Sequence, residues 1–141
     1  MSLQSAVRAH TEPALPRPRL TVVPCAGSAR ALARGVVDRE PGFADPEKLA
    51  EALGIPIRLV SLAAAQGGLE AVLLPDFDTR FVILCDPWVE GRDTQRVAFR
   101  IAHELAHTLF YDWDQRPPCR LRVSTRAEED FCDEFAGALT G

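Results

Sequence analysis

With 141 residues, 47% hydrophobic and 26% charged, the chain has the make-up of one ordinary globular domain, long enough to bury a core and short for two. No stretch approaches the roughly 18 apolar residues of a membrane helix, and the opening Met1-Ser2-Leu3-Gln4-Ser5 lacks the apolar core of a secretory signal, so neither membrane nor export is expected. The net charge of −4, with basic residues dispersed, lacks the footprint of a nucleic-acid binder, and no direct DNA binding is expected.

Residues 1–24 read as a flexible leader, because Pro13, Pro16, Pro18 and Pro24 among polar and basic neighbours exclude helix and leave little to bury. The folded domain is placed at 25–141. Ser28 is a candidate cap for a helix through Ala31, Leu32, Val36 and Val37, which Pro41-Gly42 ends. A second helix has Asp45 as cap, Pro46 at its first position, Leu49, Ala52 and Leu53 at helical spacing, and Gly54 as its stop.

After Gly54 the period shortens. Ile55, Ile57 and Leu59 alternate with Pro56, Arg58 and Val60 as a first strand. Leu69–Leu74 and Arg80–Cys85 supply two more, joined by a hairpin loop over Pro75-Asp76-Phe77-Asp78-Thr79, and Gly67-Gly68 reads as a turn before them. Asp93 or Thr94 then caps a helix expected to run to about Tyr111. At about 100° per residue, Ala98, Phe99, Ala102, Leu105, Ala106, Leu109 and Phe110 fill one arc of that helix. Arg100, His103, Glu104, His107 and Tyr111 form a separate polar stripe.

His103-Glu104-Leu105-Ala106-His107 is an HExxH motif, which carries two imidazoles one helical turn apart, able to reach one metal ion. Zinc so held acidifies a water molecule, for which Glu104 is the expected catalytic base. Catalytic zinc takes three protein ligands and keeps a position open, so a third ligand must come from elsewhere. The last helix, expected over Ala127–Thr140, offers several carboxylates. Phe131, Cys132, Phe135, Ala136 and Leu139 make its apolar arc; Glu128 falls in that arc at the frayed first turn, and Asp130 and Glu134 project to solvent. Glu129 borders the arc and is the expected ligand. Asp133, one turn on, is expected to accept a hydrogen bond from the free ring nitrogen of His103. Acidic residues in a first turn also complement the helix dipole without a metal; the upstream HExxH and the E-x-x-x-D pair on one edge favour coordination.

Arg100-Ile101-Ala102-His103-Glu104-Leu105-Ala106-His107-Thr108-Leu109-Phe110-Tyr111, followed by Glu129-Asp130-Phe131-Cys132-Asp133-Glu134-Phe135-Ala136, closely resembles the ImmA/IrrE family of zinc metallopeptidases over about residues 28–140. The resemblance implies a small α+β zincin-like domain, a three-stranded sheet packed on a buried HExxH helix and a C-terminal ligand-bearing helix. It also implies His103, His107 and Glu129 as zinc ligands and Glu104 as base. The implied substrate is a helix-turn-helix transcriptional repressor, cut in a stress, phage or mobile-element response, and the implied setting is cytoplasmic. Ala106 stands where the family commonly has Gly, and the family pattern continues past Leu139-Thr140-Gly141, where this chain ends.

Tyr111 is a candidate oxyanion stabiliser, and Arg100 is expected to pair with an acidic neighbour. A substrate strand is expected to add to a sheet edge, with Arg80–Cys85 as the candidate. Mn²⁺ or Co²⁺ can occupy such a site in place of zinc. A competing reading is a non-catalytic zinc-containing module that binds a repressor or toxin–antitoxin partner, which Cys85 or Cys132 beside the histidines would favour. A deformylase-type hydrolase would need an upstream Cys ligand, and the surroundings of Cys85 do not resemble that family. Cys25, Cys85, Cys119 and Cys132 form no CxxC pair and read as reduced thiols.

Overall fold

The structure, a computed structural model, describes residues 26–62, 70–86 and 94–141. The leader over 1–24, Cys25, Gly67-Gly68, Leu69 and the Asp93 cap lie outside the described residues.

Helix α1 (Ala26–Arg39) contains Ser28 within its first turn, so Ser28 is not the cap expected ahead of the helix. A 3₁₀ turn at Pro41–Ala44 leads into α2 (Pro46–Ala52). Here the expected capping holds: the Asp45 side chain accepts the Glu47 N–H at 3.0 Å, and Pro46, lacking a donor, opens the helix at no cost. Gly54 stops it with φ +74°, a left-handed conformation that side chains resist. Pro46, Leu49, Ala50 and Leu53 are buried, and Ala52 faces solvent.

The sheet comprises β1 (Ile57–Leu59), β2 (Ala71–Asp76) and β3 (Arg80–Cys85) in the order β1-β3-β2. β2 and β3 form an antiparallel hairpin with Asp76 opposite Arg80, so Pro75 and Asp76 belong to the strand and the turn narrows to Phe77-Asp78-Thr79. The Asp76 carboxylate draws the turn in by accepting the N–H groups of Asp78 and Thr79 and the Thr79 hydroxyl, each at 3.0 Å. Phe81, Ile83 and Cys85 face the helices and are buried. β1 pairs in parallel with β3, Ile57 opposite Ile83. This overturns the assignment of Arg80–Cys85 as an open edge: the most apolar strand gains most from neighbours on both sides, and both are occupied. The edge beside the HExxH helix is β2.

Helix α3 (Thr94–His107) is shorter than expected. At Thr108–Phe110 it tightens into a 3₁₀ turn, with the Thr108 hydroxyl bonded to the Leu105 carbonyl at 2.6 Å, and Tyr111 is extended at φ −120° and ψ 153°. Tyr111-Asp112 becomes β4, which pairs with β5 (Cys119–Arg120) in a small second sheet that the sequence did not announce. Helix α4 (Arg126–Thr140) follows, capped by Thr125, whose hydroxyl accepts the Glu128 N–H at 3.2 Å.

Among the described residues the architecture is a small α+β arrangement of four α-helices, a three-stranded sheet and a two-stranded one. α4 packs against both α1 and α3, and α3 lies against β2. The expected arc of α4 is buried throughout, from Phe131 to Leu139. In α3, Ile101 joins the buried face beside Ala102, Leu105 and Ala106, while Phe99 is half-buried. No helix among the described residues is long and apolar enough to cross a membrane.

Candidate metal centre

α3 and α4 pack face to face, and their facing polar edges bring His103, His107 and Glu129 together. His103 Nε2 and His107 Nε2 are 3.2 Å apart. Glu129 Oε1 lies 3.2 Å from the first and Oε2 3.2 Å from the second. Two ligands each about 2.0–2.1 Å from a tetrahedral zinc stand about 3.3 Å apart, so the three separations suit one ion bound between them.

A carboxylate stands beside each outer ring nitrogen, but only that of His107 is hydrogen-bonded, so the hydrogen bond expected between His103 and Asp133 is not made. His103 Nδ1 is 2.8 Å from Asp133 Oδ1, although that oxygen lies off the direction of an N–H bond. His107 Nδ1 is 2.6 Å from Glu128 Oε2. A carboxylate beside Nδ1 keeps the proton there and turns the Nε2 lone pair toward Glu129. Two lone pairs and a carboxylate then converge on one point, a donor set that repels itself unless a cation lies at its centre. The residues present fit a divalent metal of the kind imidazole favours. Among the described residues, this metal-capable group contains no cysteine. Cys85, Cys119 and Cys132 form no disulfide among the described residues, and burial together with the surrounding carboxylates pushes the Cys132 thiol up, away from thiolate.

The titration behaviour follows from these contacts. Burial and the neighbouring His107 lower the pKa of His103, against the pull of Asp133 and Glu129. For His107, burial also opposes the charged form, but the Glu128 hydrogen bond and the charges of Glu104 and Glu129 win and raise it. Glu128 is held below the usual carboxylate value: burial would raise it, and the hydrogen bonds from His107 and Arg120 outweigh that.

Glu104 lines the same cavity, of about 400 Å³, together with Glu70, Ala71, Val72, Arg96, Arg100, His103, His107 and Glu129. Its Oε1 accepts the Leu73 N–H from the edge of β2 that faces α3 at 2.9 Å. Its other oxygen has no protein partner among the described residues. Burial pushes its pKa up to about 7, so the group passes between carboxylate and acid near neutral pH.

Tyr111 is not on the metal stripe. Once the helix ends at His107, the backbone turns and buries the ring edge-on against Phe81 at 5.2 Å, with its hydroxyl 3.1 Å from Arg120 Nη1. It is not among the residues lining the cavity, so the expected oxyanion role loses its geometric basis. Arg100 does pair with an acid, Glu70, at 2.9 Å.

Three features went unread in the sequence. Glu128 is a buried partner of His107, not a frayed first-turn residue; the signal was its place inside the apolar arc, where a carboxylate must find partners. Arg120 supplies the second partner, from a strand with no periodic signature. The grip of Leu73 on Glu104 comes from backbone, which composition does not encode. No family model, curated protein or solved structure matches this chain.

Proposed function

We propose that the chain is a zinc-dependent peptidase of zincin-like build, with His103, His107 and Glu129 as ligands and Glu104 as general acid and base. The convergence of two Nε2 atoms and the Glu129 carboxylate, 3.2 Å apart and beside a carboxyl group that titrates near neutrality, carries this reading. Zinc, when bound, supplies Lewis acidity toward the scissile carbonyl and acidifies a water molecule.

The protein's own residues account for the rest. Glu104 is anchored through Oε1 by Leu73 and takes the proton of the attacking water on its other oxygen, then delivers it to the leaving amine. Glu128 fixes the orientation and protonation of the His107 ring, and the Asp133 carboxylate lies beside Nδ1 of His103. The β2 edge beside Glu104 offers main-chain groups to an extended peptide, a form of strand addition. Among the described residues the cluster holds no cysteine, which speaks against the structural-zinc module, since closed structural sites prefer Cys.

The resemblance to the ImmA/IrrE family supports a helix-turn-helix repressor as substrate and a regulatory, cytoplasmic role. The test is incubation of the zinc-loaded chain, and of its Glu104→Gln variant, with helix-turn-helix proteins encoded beside it. Discrete fragments by mass spectrometry with the wild type alone support the reading; identical digests from both proteins contradict it.

A further inference from the structure

The cavity that holds the metal ligands has a second end of different charge. Arg96, Arg100, His103, Glu104 and His107 lie along one stripe of α3, and Glu70 faces the first two from the start of β2. α3 and β2 run side by side in the same direction, because Glu104 meets Leu73 while Arg100 meets Glu70. A peptide laid along the β2 edge therefore passes from the metal ligands to the arginines within a residue or two, at about 3.3 Å per residue of extended chain and about 1.5 Å per residue of helix.

Glu70 treats the two arginines differently. Arg96 grips both carboxylate oxygens through Nε and Nη2. Arg100 uses Nε alone, at 2.9 Å, and its Nη1 and Nη2 groups meet no protein acceptor among the described residues. At 40% exposure, its side chain is open to the cavity and to solvent. Arg96 thus engages both oxygens of Glu70, and the Nη groups of Arg100 remain for a ligand in the cavity.

We infer that the Arg100 end of the cavity is a subsite for a carboxylate of the bound peptide, either an acidic side chain or a free chain terminus, adjoining the residue presented to the metal. The inference rests on the peptidase reading and adds a substrate preference to it. The Nε contact with Glu70 holds the guanidinium plane in place, so the outward Nη edge meets a carboxylate as a paired fork with little ordering cost. Lysine would bring charge without the fork, and a neutral amide would bring neither complement.

The test uses the zinc-loaded full chain and peptide hydroxamates, which chelate the metal without being cleaved. Four probes suffice: Glu, Gln or Lys beside the hydroxamate as C-terminal amides, and the Gln compound with a free C-terminal carboxylate. Calorimetry is expected to show the Glu amide, the free acid, or both bound about tenfold more tightly than the Gln amide, with Lys weakest. Which of the two gains identifies the source of the carboxylate. In Arg100→Gln the ratio collapses toward one, in Arg100→Lys part of it returns, and raising the ionic strength shrinks it. Equal wild-type affinities for all four probes, or a ratio that survives Arg100→Gln, overturn the subsite while leaving the peptidase reading intact. Failure of every hydroxamate to bind overturns that reading and the subsite with it.

Discussion

His107 Nδ1 stands 2.6 Å from Glu128 Oε2, and that carboxylate is only 2% exposed. A buried carboxylate needs partners, and Glu128 has two: His107 on one oxygen and Arg120 on the other. Arg120 is itself placed over the Tyr111 ring, 4.9 Å from its centre, and bonded to its hydroxyl. The β4–β5 pair thus holds Arg120, Arg120 holds Glu128, and Glu128 holds the imidazole.

Glu128→Gln is expected to weaken zinc binding by about 10- to 100-fold, the usual effect of removing the group that orients a ligating histidine. Arg120→Met is expected to act in the same direction by loosening Glu128. Competition against a chromophoric chelator measures both, with circular dichroism confirming that the fold persists. Unchanged zinc affinity in Glu128→Gln would mean the contact is only packing.

Glu104→Gln keeps the Leu73 hydrogen bond available and leaves the three proposed ligands untouched. Zinc affinity is expected to stay within a few-fold of wild type, while peptide cleavage falls by at least about 10²-fold, the lower range for loss of a positioned acid–base group. Cleavage at wild-type rate would remove Glu104 from the chemistry.

The metal is expected to stabilise the fold as well as act in it, since its ligands come from two helices. At a free zinc concentration about 100 times Kd, linkage adds about 2.7 kcal/mol to the unfolding free energy, visible as a rise in Tm. His103→Ala should abolish that rise. Phe135→Ala, at a fully buried position of α4, is expected to cost about 3–5 kcal/mol in urea unfolding and to lower zinc affinity with it.

Acid dependence can be read at the β2–β3 turn, away from the metal. Hydrogen bonds from Thr79, outweighing a small burial effect, and a further one from Asp78 lower the pKa of Asp76 below its ordinary 3.8. A depressed folded-state pKa contributes stability that is present above 3.8 and is lost as pH falls through the lower folded value. The gap in Tm between wild type and Asp76→Asn should therefore be widest near neutral pH and narrow below about pH 3.8. A gap independent of pH would show that the charged form carries no advantage.

The site was more legible than the fold that presents it. Helical spacing alone pairs His103 with His107 and puts Glu129 and Asp133 on one edge of α4, and those four residues meet as the spacing requires. Capping chemistry marks α2 because Asp45, Pro46 and Gly54 act through local backbone contacts. What escaped depends on distant partners. The order of strands follows from β1 pairing in parallel with β3, a contact between segments far apart in sequence. Leu59, in the apolar half of the alternation, is 53% exposed at the end of β1. Tyr111 continues the helical period on paper, yet its ring gains more by burial against Phe81 and Arg120 than by another turn of helix.

Zinc K-edge X-ray absorption on the zinc-loaded full chain tests the central claim most directly. One zinc per chain is expected, with two imidazole nitrogens at about 2.0–2.1 Å and oxygen donors completing a four-coordinate shell. A sulfur shell at about 2.3 Å, or a spectrum without imidazole scattering, would contradict it.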